Sequence, residues 1–357
     1  MRNDPFERWL SRLTARSELD PEIVRRSESI AHDGLQKLAA ALDNPPPKGL
    51  SYYDAAHFAF QSFSFHRDDL PRAHSLYHRI FSTPGSGSTY VQEEFLNLIA
   101  QTSEPVSIPF WVGLLDLTRP RDHFARTRKT MAVAALACLA VTHQSHGTYA
   151  ALRQLLEHTK EEVRALALIY LGRTHEVLKR PPTSDVLREV RRIAGHDPAF
   201  APRFRARSLL QDYNKPIPLD NPGGAFAFRV KFRRARSLLQ RTIELRSEQT
   251  LADLAHAINH SLNWDMDHLY SFYMNGELHD EQYRFSCPYE DDRPPWTDEA
   301  VIGELGLTLK HKFVYYFDYG DSHAFEVEVV GIAPTAEKVK YPRVVVSKGE
   351  APEQYGD

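Results

Sequence analysis

The segment KPIPLDNPGG, residues 215–224, contains three prolines and two glycines in ten positions, and it decides how the chain is divided. Proline lacks a backbone N–H and disrupts a helix, so a segment of this kind is typical of a linker. Before it, apolar residues recur at helical spacing, as they do within residues 23–42. After it, Phe226, Phe228 and Val230 alternate with other residues, which is the period of a strand. The change of period predicts two separate cores.

The predicted organisation is an all-α region over residues 1–214, a Pro/Gly linker over 215–224 and an α+β domain over 225–357. In the last part we expect a helix over Leu251–Leu262, capped by Ser247 or Thr250. Strands are predicted at about 226–232, 242–246, 269–275, 312–318, 323–331 and 343–347. Two strands, one helix and then several strands favour a mostly antiparallel sheet.

A repeated pattern within the helical region predicts a HEAT-like solenoid. Three segments, which begin at Thr127, Val163 and Phe204, carry an arginine at their second position followed by small and apolar residues. Their starts lie 36 and 41 residues apart, near the roughly 40–47 residues of HEAT and armadillo repeats. An irregular α-bundle is the alternative. Because solenoids present extended binding surfaces, this region is a candidate for docking a protein partner.

The composition indicates an ordinary globular protein whose charge is unevenly distributed. Of the 357 residues, 42% are hydrophobic and 25% are charged, and the formal net charge is −3. Residues 1–222 carry 29 Lys+Arg and 25 Asp+Glu, whereas residues 223–357 carry 15 and 22. Binding to a phosphate backbone requires clustered cations, so the acidic C-terminal part is a poor candidate for broad nucleic-acid binding.

Cysteine use and hydropathy favour a cytoplasmic location. Cys138 and Cys287 fall in different predicted domains, so we expect no disulfide and a reducing compartment. The first residues, MRNDPFERWL, lack the apolar core of a signal peptide. The longest apolar run, Met131 to Val141, is shorter than the roughly 20 residues that span a bilayer. We therefore expect no membrane association.

Four motifs in the C-terminal part resemble those of a known family. They are NWDMDHLYSF at 263–272, YFDYGDSH at 316–323, YPR at 341–343 and EAPE at 350–353. In order and spacing they are similar to GWDxxHLHxF, YDFGDSW, YPRC and ACPPED of the plasmid pRiA4b ORF-3-like family. The resemblance covers about 226–357 and implies the fold of that family but no established chemistry. Since family members occur on plasmids and beside transposons, it also implies a bacterial-type protein linked to mobile elements.

Four departures from the family pattern limit what the resemblance implies. Tyr270 stands at the second histidine of the HLH motif, and His323 stands at the tryptophan of the GDSW motif. Val344 and Ala351 replace the two cysteines near the end of the domain. If those cysteines bind a metal or form a redox pair in the family, this chain lacks that function.

A polar cluster is the strongest candidate for chemistry. Its members are Asp265, Asp267, His268, Asp318, Asp321 and His323. Carboxylates and imidazoles at short spacing suit a divalent metal or acid–base work, provided that both loops meet at one end of the sheet. The alternative is structural, because aspartates cap helices and close hairpins. The sequence predicts no cofactor, and the cluster leaves a divalent metal open.

Two groups of basic residues are candidates for nucleic-acid binding. One group lies along the last predicted helices of the N-terminal region, and the other lies along and just after the first predicted strand of the C-terminal domain. They comprise Arg188, Arg191, Arg192, Arg203, Arg205 and Arg207, and Arg229, Lys231, Arg233 and Arg234. Such residues can grip phosphates, but they are also common as structural or solvated side chains.

Three functional hypotheses remain open from the sequence. The chain contains no Walker loop, G-x-S-x-G, H-E-x-x-H or C-x-x-C motif, which lowers the expectation of an enzyme. The leading hypothesis is a cytosolic adaptor that binds a protein partner through the helical region and carries a second surface on the C-terminal domain. The alternatives are a nucleic-acid-associated protein linked to mobile elements and a metal-assisted hydrolase that uses the Asp/His cluster.

Overall fold

The computed structural model describes residues 4–43, 62–82, 89–233, 239–290, 294–336 and 338–355. Two compact units are present, Met1–Pro182 and Thr183–Asp357. The first is helical and the second contains the sheet, which confirms the predicted combination of an all-α region with an α+β domain. The division between the units lies about thirty residues before the predicted linker at 215–224.

The first unit is built from helices. Those that the structure describes are α1 (Pro5–Ser17), α2 (Pro21–Asp43), α3 (Leu70–Ser82), α4 (Thr89–Thr102), α5 (Ile108–Leu114), α6 (Ala125–His143), α7 (His146–Gln154) and α8 (Glu161–Leu178). Their ends follow local rules: Gln144 ends α6 in the left-handed conformation, with φ 47°. Ser145 then caps α7, because its hydroxyl accepts a hydrogen bond from the backbone N–H of Thr148 at 3.2 Å.

Helix α6 forms the centre of this unit. Every residue from Met131 to Ala140 is buried, and the helix packs against α1, α5, α7 and α8. A helix that is apolar on all sides is expected to be buried in the protein core. The longest apolar run of the sequence is therefore a core helix. Among the described residues, no helix combines the length and apolar character needed to cross a bilayer.

Three arginines have equivalent positions at the fourth residue of their helices. In α6, Arg128 Nη2 donates to the carbonyl of Leu117 at 3.2 Å. In α8, Arg164 Nη1 donates to the carbonyl of His158 at 2.8 Å. The third is Arg203 of the helix Phe200–Asp212, which lies two residues before the arginine in the predicted pattern. The recurring arginine thus binds the loop that precedes its helix, while the HEAT-like array itself stays a prediction.

The second unit begins with two helices and continues into the sheet. Helices α9 (Ser184–His196) and α10 (Phe200–Asp212) precede β1 (Gly224–Phe232), β2 (Gln240–Arg246), α11 (Leu251–Leu262), β3 (Tyr270–Tyr273), β4 (Arg284–Ser286), β5 (Lys312–Phe317), β6 (His323–Pro334) and β7 (Arg343–Lys348). The seven strands that the structure describes have the order β4-β3-β5-β6-β1-β2-β7, and every neighbouring pair is antiparallel. The predicted antiparallel sheet is confirmed.

The helix α11 begins and ends where the sequence predicts. Thr250 is its cap: the hydroxyl accepts from the Asp253 backbone N–H, and the Asp253 carboxylate accepts from the Thr250 backbone N–H. Ser247, the other candidate, is buried, and its hydroxyl donates to the carbonyl of Asn221 at 2.5 Å. Asn263 ends the helix with φ 61°.

The two faces of the sheet differ in chemistry. One face is apolar and belongs to the same core as the buried side of α11, including Leu254 and Ile258. On strands β1, β2, β5, β6 and β7 the other face carries cross-strand ion pairs, among them Arg229–Glu328, Lys312–Glu326 and Arg343–Glu244. This alternation, with one side buried and the other polar, is expected of an antiparallel sheet that packs on one face.

A partly buried histidine makes stability depend on pH. Burial lowers the pKa of His311 from 6.5 to about 4, and its Nε2 donates to the carbonyl of Met274 at 2.8 Å. The unfolded chain therefore binds more protons between these two pH values, and stability falls as the pH is lowered through that interval. We expect His311 to account for a loss on the order of 2 kcal/mol in the free energy of unfolding.

The measurement is urea unfolding at several pH values from 7.0 to 4.5. His311→Gln keeps an N–H donor but does not titrate, so its free energy of unfolding should fall less than that of the wild-type chain. An identical pH dependence in the two proteins would contradict the assignment.

Candidate functional site

The polar cluster lies on two loops of the second unit. One loop follows α11 and contains Asp265, Asp267 and His268, and the other joins β5 to β6 and contains Asp318 and Asp321. His323 is the first residue of β6. The loops are adjacent because β3, which starts after the first loop, pairs with β5: Tyr270 lies opposite Phe317. The condition that both loops meet at one end of the sheet is therefore met.

Asp318 organises the turn between β5 and β6. Its backbone is left-handed, with φ 53°, so the strand ends at Phe317. Its Oδ1 accepts from the backbone N–H groups of Gly320 at 2.9 Å and Asp321 at 3.2 Å. An aspartate that bonds to the backbone two and three residues later is a standard turn device. The structural role that the sequence allowed is thus present, and Asp318 performs it.

The second oxygen of Asp318 faces His268. The Nε2 atom of His268 lies 3.5 Å from Asp318 Oδ2 and 3.7 Å from Asp267 Oδ1. Both distances exceed the usual 2.7–3.2 Å of an N–H···O hydrogen bond. The His268 ring also packs edge-on against Phe317, with centroids 6.0 Å apart. His268 is therefore held beside two carboxylates without a short hydrogen bond to either.

Asp265 and Asp267 interact with the end of the chain. Gln354 accepts from the Asp265 backbone N–H at 2.7 Å, and its side-chain amide donates to Asp267 Oδ1 at 2.9 Å. The hydroxyl of Tyr355 donates to Asp267, which lowers the pKa of that carboxyl group and raises the pKa of Tyr355 to about 12. These two aspartates thus anchor the C-terminal segment. The sequence did not single out Gln354 or Tyr355, although the EAPE motif directly precedes them.

His323 lies in a largely aromatic environment. It is 8% exposed, and its ring centroid is 4.8 Å from that of the buried Trp264. The Nε2 atom is 3.3 Å from the carbonyl of Gln354, whereas Nδ1 is buried and has no hydrogen-bond partner. One ligand atom from each of Asp318, Asp321 and His323 lies within 4.8 Å of the other two. The predicted cluster therefore divides into Asp318, Asp321 and His323, which could hold a metal ion, and Asp265, Asp267 and His268, which are not part of that group.

The described basic residues in and directly after strand β1 are mostly engaged in local contacts. Arg229 pairs with Glu328 on the neighbouring strand. Lys231 is exposed, and Arg233 Nη2 donates to the carbonyl of Gly276 at 3.2 Å. Arg234 lies outside the described residues. These contacts support the view that this run belongs to the charged face of the sheet.

The basic residues of α9 and α10 do not form one surface. Arg188 and Arg192 pair with acidic residues three positions earlier on α9, and Arg191 is exposed. On α10, by contrast, Arg203 and Arg207 are buried. Arg205 lies between them in sequence, with its guanidinium 4.2 Å from the ring centroid of Tyr283. The predicted basic ridge is thus divided into solvated and structural arginines.

Buried Arg207 is expected to be a structural residue. Its guanidinium donates to the carbonyls of Ala194, Pro218 and Gly303 and to the carboxylate of Asp220. Arg207→Met should lower the free energy of unfolding by about 3 kcal/mol, because it leaves these acceptors without their donor. Chemical denaturation measures this loss.

The matched control is Arg188→Met on the neighbouring helix. The side chain of Arg188 is 76% exposed, so its ion pair with Asp185 is screened by solvent. We expect a change within about 0.5 kcal/mol. Equal losses in the two variants would contradict the structural role of Arg207.

Comparison with known proteins identifies the C-terminal part of the chain. Residues 224–356 match the sequence model of the family described as plasmid pRiA4b ORF-3-like protein, which confirms the resemblance that the motifs indicated. A crystal structure of a protein of unknown function from Methanosarcina mazei Go1 is 22% identical, with 36% of this chain and 71% of that chain covered and a TM-score of 0.32. No curated protein matches the chain.

Proposed function

We propose that this chain is a non-enzymatic cytosolic adaptor that binds a partner polypeptide through its helical region and carries a second binding surface on the C-terminal α+β domain. The observation that carries the proposal is a groove where α1 and α2 meet. The groove is shallow and open to solvent, and its volume is about 500 Å³. Its lining residues are Leu13, Arg16, Ser17, Leu19, Pro21, Val24 and Arg25.

The groove combines an apolar floor with basic side chains. Leu19 is 39% exposed. Ile23, which directly precedes the lining residue Val24 in the sequence, is 52% exposed. Covering apolar side chains of this size with a partner lowers the free energy of the complex. The groove therefore favours a partner that contributes apolar anchors.

The charged residues of the groove indicate the charge of the partner segment that carries these apolar anchors. Arg16 is held in place by an ion pair with Glu28 at 2.9 Å and by a hydrogen bond to the carbonyl of Gln101 at 3.0 Å. Arg25 is exposed on α2. Because Arg16 is already neutralised by Glu28, the exposed guanidinium of Arg25 is the charge that is complementary to a segment in which carboxylates follow apolar residues. The proposed occupant is thus an acidic, amphipathic segment of another protein.

The second surface of the proposal is strand β7. At the opposite end of the sheet, β4 is covered, because Ser286 exchanges backbone hydrogen bonds with Pro295 and Thr297. Strand β7 is also at an edge of the sheet, and its Val344 and Val345 are 43% and 42% exposed. An exposed edge strand can accept an extended segment of a partner. This strand is the candidate surface of the C-terminal domain.

The two other hypotheses receive less support from the described residues. For nucleic-acid association linked to mobile elements, the arginines that would form the basic ridge include two buried ones, Arg203 and Arg207. For metal-assisted hydrolysis, the Asp/His cluster supplies metal ligands, but a substrate site would also be required. The adaptor hypothesis rests instead on a surface that is already concave and partly apolar.

Peptide binding tests the groove directly. Two labelled amphipathic helical peptides with the same leucine positions, one acidic and one basic, are titrated with the full chain and followed by fluorescence anisotropy. We expect saturable binding of the acidic peptide only. Arg25→Glu should weaken that binding by about fivefold, in line with the loss of a charge pair near 1 kcal/mol.

The neighbouring Arg26 provides the matched control. It is exposed on the same helix and does not line the groove, so Arg26→Glu should leave the affinity within about twofold of the wild-type value. The proposal fails if the acidic peptide does not saturate, or if both charge reversals weaken binding equally.

A further inference from the structure

We infer that Asp318, Asp321 and His323 form a binding site for one divalent transition-metal ion, with Zn²⁺ as the best fit. This site lies in the second unit and is independent of the groove between α1 and α2. The inference rests on the convergence of the three side chains, on an unused nitrogen atom of His323 and on the way in which Asp318 is held.

The hairpin brings the three side chains together. Asp318 directly follows β5 and His323 begins β6, and the last residue of β5, Phe317, lies opposite His323. Ser322 returns the chain, because its N–H donates to the carbonyl of Asp318 at 2.6 Å. The ligand atoms of the three residues lie within 4.8 Å of one another as a result. Because the folded hairpin already holds the three residues close together, an ion that binds there loses little conformational entropy from the backbone.

The lack of a hydrogen-bond partner at the buried Nδ1 atom of His323 points to a ligand. The residue is 8% exposed, and Nδ1 is buried without a hydrogen-bond partner. Its other ring nitrogen, Nε2, lies 3.3 Å from the carbonyl of Gln354, which can only accept a hydrogen bond, so in the neutral imidazole Nδ1 is the nitrogen left to bind a ligand. Metal-binding histidines usually donate their second N–H to a carbonyl or carboxylate in this way. A bound cation would satisfy a buried acceptor that is otherwise costly.

Asp318 is oriented in the same manner. Its Oδ1 accepts two backbone N–H groups, which fixes the carboxylate plane. Its Oδ2 remains 3.5 Å from His268 Nε2, longer than a normal hydrogen bond. This oxygen can bind a cation while the turn stays intact. The exposed Asp321 completes the group from the solvent side.

The donor set determines the kind of metal. Two carboxylates and a neutral imidazole balance the charge of a divalent ion, and imidazole nitrogen favours Zn²⁺ and similar ions over Ca²⁺ and Mg²⁺. Bonds near 2.0–2.2 Å place ligand atoms roughly 3–4 Å apart, so the group must contract slightly when it binds. The exposed side chain of Asp321 can make that movement. Water would occupy the remaining coordination position.

Calorimetric titration with ZnCl₂ tests this inference. The full chain, freed of any affinity tag and treated with a chelator, should bind one equivalent of Zn²⁺ and should show much weaker binding of MgCl₂. Both His323→Gln and Asp321→Asn should weaken Zn²⁺ binding by about tenfold or more. Co²⁺ should give visible absorption bands that these two variants lose.

Matched variants elsewhere in the same unit distinguish the site from adventitious binding. His256→Gln and Asp298→Asn alter an exposed histidine and an exposed aspartate outside the cluster, and should bind Zn²⁺ as the wild-type chain does. If His323→Gln unfolds, Asp321→Asn decides the question, because Asp321 is on the surface. The inference is overturned if the wild-type chain binds no stoichiometric Zn²⁺, or if Asp321→Asn binds as tightly as Asp298→Asn.

Discussion

The guanidinium group of Arg207 is the contact on which the organisation of the second unit depends. It joins α9 through the carbonyl of Ala194, the 215–224 segment through Pro218 and Asp220, and the loop before β5 through Gly303. A buried cation is tolerated only when its donors are satisfied, so all of these segments must be present for the residue to remain buried. This requirement explains why α9 and α10 belong with the sheet. The proline-rich segment is accordingly a bonded part of the unit, as the hydrogen bond from the Asp220 N–H to the Gly303 carbonyl at 2.7 Å also shows.

In the second unit, polar groups that are already hydrogen-bonded lie within a few residues of polar groups that could still bind a ligand. Asp265 binds Gln354 through its backbone, and Asp267 binds Gln354 and Tyr355 through its carboxylate, so both hold the C-terminal segment. Asp318 serves the turn with one oxygen and keeps the other, and His323 uses one ring nitrogen and keeps the other. Adjacent residues of one motif thus have different capacities for chemistry, and the difference arises from hydrogen bonding and not from residue type.

The proposed groove and the proposed metal site depend on different physical effects. The groove on α1 and α2 depends on exposed apolar area beside a guanidinium group, and so it favours recognition of an amphipathic polypeptide segment. The Asp/His site depends on a small number of directed lone pairs and suits a single ion. Zinc bound at the hairpin would stabilise the C-terminal domain, because an ion that binds the folded state adds to the free energy of unfolding.

The amino-acid sequence by itself determined the fold class, because hydrophobic periodicity depends on which residues face the core. It predicted α11 to the residue and all the strands except β4, a three-residue strand without an alternating apolar pattern. The family resemblance of residues 224–356 was likewise visible in short motifs. Tertiary structure alone decided the division of the chain at Pro182, the burial of Arg203 and Arg207, and the involvement of Gln354 and Tyr355. These features depend on contacts between residues up to about a hundred positions apart, and local spacing carries no information about such contacts.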